Sequence, residues 1–119
     1  MKETCAVYRT ANFIGKRWTL LILLELHKEK SSWKRFSWLK KKIVPITQKI
    51  LSLRLKELEK EGLVKKRISN SEFPIKSEYQ LSDRGMDFIK VIKEMKRWYL
   101  KCKFPDKACE NCECDVCPF

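Results

Sequence analysis

The 119-residue sequence predicts a mainly α fold with a small β-hairpin, of the α+β class. Three observations predict it. Apolar residues recur at helical spacing through the first half of the chain and again after Ser82, whereas the stretch between Gly62 and Ser82 alternates apolar and polar. Pro45, Gly62 and the polar run SNSEFPIK punctuate these pieces as turn-formers do. A length of 119 residues suits one core, so residues 1–101 are expected to form one domain and 102–119 a cysteine-rich tail.

The first predicted helix includes Cys5 to Ile14. The next covers Lys16 to His27, and its Trp18, Leu20, Leu21, Ile22, Leu23 and Leu24 wrap most of the circumference, which requires burial. Its run WTLLILLEL is about half of a bilayer span and contains Glu25, so no membrane segment is read. Trp18 and, later, Trp98 read as core or interface, and His27 as a helix-end cation or an ordinary surface residue. Phe36, Leu39 and Ile43 then recur at helical spacing around Lys40, Lys41 and Lys42, and Pro45 forbids continuation.

Thr47 is a good N-cap for a helix whose apolar face is Leu51, Leu55 and Leu58 and whose stop is Gly62. Helix, turn, helix is therefore followed by two alternating segments, LVKKRI (Leu63 to Ile68) and SEYQL (Ser77 to Leu81). These predict a two-stranded wing with SNSEFPIK at its tip. Ser82 caps a last helix to about Cys102, with Met86, Ile89, Ile92 or Lys93, and Leu100 along one side. Phe88, Met95, Trp98 and Tyr99 lie on others, so the helix suits either a cover for the core or a dimer interface. The whole order is that of a winged helix-turn-helix.

Charge agrees with that architecture. The net charge is +12, and residues 28–67 hold 14 Lys and Arg against 4 Glu. A concentrated positive face attracts a polyanion by releasing condensed counterions, and nucleic acid is the common one; a merely solvated lysine-rich surface is the bland alternative. No paired nucleophile and base, glycine-rich phosphate loop or carboxylate constellation is present, and with only 3 glycines an enzyme is not expected. The start, MKETCAVYRT, has no apolar stretch with a cleavage site, so a cytoplasmic location is expected, where thiols stay reduced.

Geometry names the reading residues. Gln48, Lys49, Ser52 and Leu53 project away from the Leu51, Leu55 and Leu58 face near the helix start. Gln48 can pair bidentately with adenine and Lys49 can donate to guanine or phosphate, or either can be solvated. Thr47 serves as a cap that can also face a phosphate. Arg54 contacts DNA or pairs with a glutamate. Arg35, Lys40, Lys65, Arg67 and Lys76 are candidates for phosphate contacts, which carry affinity more than specificity.

In several separate stretches the chain resembles the HxlR-type regulators, relatives of the MarR-like winged-helix proteins. The stretches are Cys5, IGKRWTLLILLEL from Ile14, RFSWLKKKI from Arg35, ITQKILSLRLKELEKEGLV from Ile46 and YQLSDRG from Tyr79. The resemblance covers roughly residues 5–100. It implies a homodimer that binds double-stranded DNA at an inverted repeat and regulates transcription without catalysis. It also implies that, in redox-sensing members, an N-terminal cysteine pairs across the dimer with one near the end of the last helix, places that Cys5 and Cys102 match here. One departure is that Ala6 follows Cys5 where proline is common in the family.

The larger departure is the tail CENCECDVCPF, with Cys109, Cys112, Cys114 and Cys117. A bond within C-x-C would be strained, which disfavours a disulfide staple. Two gaps are one residue short of the bacterial ferredoxin run, which disfavours an iron–sulfur cluster. Zinc on four thiolates tolerates many spacings, although Glu110, Glu113 and Asp115 add negative charge. A zinc clip, reversible oxidation and an inert tail all stay open. An architectural nucleic-acid-binding protein with a structural metal-binding tail is the alternative function.

Overall fold

The computed structural model describes residues 3–69 and 76–102. Helices α1 (Ala6–Ile14) and α2 (Thr19–Ser31) lead into strand β1 (Lys34–Arg35), α3 (Phe36–Lys42) and α4 (Gln48–Lys60). Strands β2 (Val64–Ser69) and β3 (Lys76–Leu81) and helix α5 (Asp83–Cys102) follow. Ile22, Leu23 and Leu26 of α2, Leu39 of α3 and Leu51, Leu55 and Leu58 of α4 are all at most 1% exposed. Each contributes about 1.5–3 kcal/mol by leaving water. Val64, Tyr79 and Leu81 from the sheet and Ile89 and Ile92 from α5 close the same cluster, so Ile92 rather than Lys93 holds the inner face of α5.

The wing contains one strand more than its sequence predicts. The sheet order is β1-β3-β2, all antiparallel. In β1 only Lys34 and Arg35 pair, opposite Tyr79 and Glu78, and two residues are too few to show a period. Lys34 faces inward at 5% exposure, and its ammonium donates to the carbonyls of Glu25, Leu26 and Lys28 near the end of α2. The buried charge thus satisfies helix carbonyls as a C-terminal cap.

Helix α2 starts at Thr19 rather than Lys16, because Trp18 sits in the left-handed region at φ 80° and breaks the helical path. It runs on to Ser31, so His27 lies inside the helix rather than at its end. Leu21, read as part of the buried wrap, is half-exposed. Cys5 precedes α1 as its N-cap position instead of lying within it.

The joints around α4 follow from their residues. The Thr47 hydroxyl accepts the Ile50 N–H at 3.2 Å, while buried Ile46 and Leu51 bracket the cap as a hydrophobic staple does. At the other end Gly62 takes φ +82°, its N–H reaches the Glu59 carbonyl at 3.1 Å, and the Leu63 N–H reaches Leu58 at 3.0 Å. That is the Schellman closure, and glycine supplies the left-handed residue at no steric cost. Ser82 caps α5 as predicted, its hydroxyl accepting the Gly85 N–H at 3.1 Å while donating to the Gly62 carbonyl. The two helices are therefore tied end to end across the wing.

Candidate nucleic-acid interface

Helix α4 is held by its apolar face and capped at the start, so its opposite face is free to be presented. Gln48 and Lys49 are exposed in the first turn and Ser52 is half-buried one turn later. Leu53, 45% exposed, turns toward α1 instead and lines a groove with Arg9, Asn12, Phe13 and Lys16. The helix N-terminus presents free N–H groups and a positive dipole end, which favours an approaching phosphate. Thr47 is exposed there, although its hydroxyl is already engaged by Ile50.

Around this helix the cations divide by environment. Lys40 and its neighbours Lys41 and Lys42 are exposed on α3, the Lys42 ammonium lying 5.5 Å from the Trp38 ring centre. On the wing, Lys65 and Arg67 are exposed on β2, and Lys76 is half-buried at the start of β3. Arg35 and Arg67 both stand opposite Glu78, one on each neighbouring strand. Arg67 bonds that carboxylate at 3.0 Å and stacks its guanidinium 4.4 Å over Trp33, with the Lys65 ammonium at 5.8 Å. Trp33 thus organises the wing cations, a role its isolated place in the sequence does not signal.

Arg54 is directed elsewhere. Its guanidinium donates to Glu57 at 2.7 Å and to the Arg17 carbonyl at 3.2 Å, and Lys16 bonds the same Glu57 carboxylate. Of the two roles its sequence position allowed, the geometry gives Arg54 the glutamate pair. Partial burial pushes the Glu57 pKa up, but bonds from Lys16 and Arg54 outweigh that and hold it below its ordinary 4.5.

Cys5 is a half-buried free thiol at the start of α1, and Cys102 is the last residue of α5. The predicted metal ligands Cys109, Cys112, Cys114 and Cys117 lie outside the described residues. Among the described residues no group of three or more His, Cys, Asp and Glu side chains is arranged to hold a metal, and no helix is long and apolar enough to cross a membrane.

A capped helix presented beside a basic three-stranded wing is a DNA-reading arrangement, and residues 13–106 match the family described as HxlR-like helix-turn-helix. The chain belongs to the HxlR-like helix-turn-helix family. It is 44% identical over 89 residues to the uncharacterized HTH-type transcriptional regulator YdzF of Bacillus subtilis, covering 75% of this chain and 79% of YdzF. The solved reduced form of the transcriptional regulator YodB from B. subtilis superposes with a TM-score of 0.72 at 34% identity, over 87% of this chain and 98% of that one. The redox regulator HypR in its reduced form gives 0.70 at 29% identity, over 82% and 92%. This HxlR-like protein is accordingly a transcriptional regulator with a helix-turn-helix DNA-binding fold.

Proposed function

We propose that this regulator is a homodimer that recognises a specific inverted-repeat operator through Gln48 and Lys49 of α4. The observation that carries the reading is the exposure of both side chains in the first turn of a helix whose buried Leu51, Leu55 and Leu58 fix its roll. Gln48 reads adenine and Lys49 reads guanine or phosphate. Lys40, Lys65, Lys76 and Arg35 supply phosphate contacts, and Arg67 adds a cation already steered by Glu78 and Trp33.

Dimerisation is supported by apolar surface that the single chain leaves uncovered. Helix α1 buries no residue and shows Val7 at 73%, while α5 exposes Val91, Met95, Trp98 and Tyr99. Two such helices on a second copy would cover one another as an isologous interface does. Trp98 belongs to that interface rather than to the core.

The likeness to HypR and to YodB supports a thiol response. Cys5 of one subunit and Cys102 of the other would lose two electrons and two protons to an added oxidant such as diamide and form a disulfide, shifting the two reading helices relative to each other. In the tail, Cys109, Cys112, Cys114 and Cys117 offer four thiolates, a donor set suited to structural zinc. Titration of a duplex recovered by the protein from a random-sequence pool, with and without diamide, tests operator recognition and the thiol response. Size-exclusion chromatography with light scattering tests the dimer, and metal analysis of reduced protein tests the zinc. A scrambled duplex bound equally well, a monomer, binding indifferent to diamide, or protein free of zinc would each remove the corresponding part.

A further inference from the structure

The segment that joins α1 to α2 meets α4 through a small set of charged groups. Helix α1 buries none of its residues and joins the body chiefly through half-buried Phe13 and Ile14 at its end. Directly after it, three consecutive residues are fixed. The Lys16 ammonium bonds the Glu57 carboxylate, the Arg17 carbonyl accepts from Arg54 Nε at 3.2 Å, and Trp18 takes the left-handed backbone with the Arg17 guanidinium 4.5 Å over its ring. Arg54 and Glu57 in turn bond each other at 2.7 Å on one face of α4, about one and a half to two and a half turns beyond Gln48 and Lys49.

We infer that Glu57, with Lys16 and Arg54, is the positioning joint that transmits the setting of α1 to the reading helix. The inference rests on the reading of α4 as the sequence-specific helix. One carboxylate accepts from a cation on each side, so a shift of the junction after α1 pulls on Glu57 and through it on α4. A joint held by partly exposed ion pairs is soft enough to be reset, and α4 can tilt through it while the apolar face of Leu51, Leu55 and Leu58 keeps the roll of the helix. None of the three groups needs to touch DNA for this role. Helix α1 exposes Val7 beside the proposed dimer interface, so a second copy seated there acts on base reading through this joint.

The sign of one mutant separates this role from simple electrostatics. Glu57 is an acid in a protein that binds a polyanion, so removing its charge should tighten binding to every duplex if charge is all that matters. The joint predicts the opposite for the operator. Binding of wild type, Glu57→Gln and Lys16→Met is measured by fluorescence anisotropy over a salt series. The probes are a duplex recovered by the wild-type protein from a random-sequence pool and a scrambled duplex, and thermal denaturation accompanies each variant.

The expected result is that Glu57→Gln binds the scrambled duplex as tightly as wild type or more so, yet loses about tenfold on the recovered duplex. Lys16→Met shows the same loss of discrimination with its salt slope unchanged. Equal tightening on both duplexes by Glu57→Gln overturns the joint. So does uniform weakening by Lys16→Met with a slope lower by about one, since that is the signature of a phosphate contact. Should Glu57→Gln fail to fold, Lys16→Met decides alone by the same criteria. A pool that yields no preferred duplex overturns sequence-specific reading itself, and the joint with it.

Discussion

The ammonium of Lys34 in β1 donates to the carbonyl of Glu25 in α2 at 2.6 Å, and the same group reaches Leu26 at 3.1 Å. One buried lysine thus fastens the end of α2 to the edge of the wing. Lys34→Met keeps an aliphatic side chain of similar length but removes the ammonium from these carbonyls and from its place 5.2 Å from the Trp38 ring centre. The variant is expected to lose about 2 kcal/mol of stability, the scale of hydrogen bonds to charged groups. Urea denaturation followed by circular dichroism measures the loss.

Gly85 is the second stability test. A Cβ built there would stand 2.2 Å from the Leu63 carbonyl oxygen, a backbone atom that also accepts the Ser82 N–H at 3.0 Å and cannot move aside cheaply. Gly85→Ala should therefore cost about 1–3 kcal/mol or more by overpacking. Gly62→Ala meets no close atom and is strained only by its φ of +82°, at about 1–2 kcal/mol. Thermal denaturation of both should place Gly85→Ala lower.

Glu57 predicts a pH dependence. Its folded pKa is depressed, so its contribution to stability is complete above the unfolded value near 4.5 and is lost as pH falls through the folded value. Glu57→Gln should melt below wild type at neutral pH, and the gap should close on acidification below 4.5. A gap constant across that range would mean that the carboxylate charge is not what matters.

Much of this architecture was legible because it is local. The spacing of Leu51, Leu55 and Leu58, the cap at Thr47 and the stop at Gly62 define α4 from neighbours a few residues away, and each has its expected partner. What stayed hidden depends on distant partners or single residues. Lys16 and Glu57 are 41 positions apart, so nothing in either stretch announces their pairing. The break at Trp18 is one backbone angle inside a pattern that continues helical on both sides. Strand β1 is too short to alternate, and its existence depends on β3 lying beside it. The crosslink proposed between Cys5 and Cys102 needs a second subunit.

Oxidation supplies the test for those cysteines. Wild-type protein treated with diamide is expected to run as a covalent dimer on non-reducing electrophoresis and to release DNA, and Cys5→Ser and Cys102→Ser should each abolish both effects. The half-buried setting of Cys5 lets it react without unfolding. A dimer band that persists in Cys5→Ser would assign the crosslink to other thiols.

The central claim is that the first turn of α4 reads bases. It is tested most directly by measuring Gln48→Ala, Lys49→Ala and Lys65→Ala against a recovered operator and its complete set of single base-pair substitutions. Gln48→Ala and Lys49→Ala should each lose discrimination at particular base pairs, by about 1–3 kcal/mol per bidentate contact. Lys65→Ala should weaken binding to every duplex alike and lower the salt slope by about one. Unchanged base preferences in both Gln48→Ala and Lys49→Ala would contradict the account.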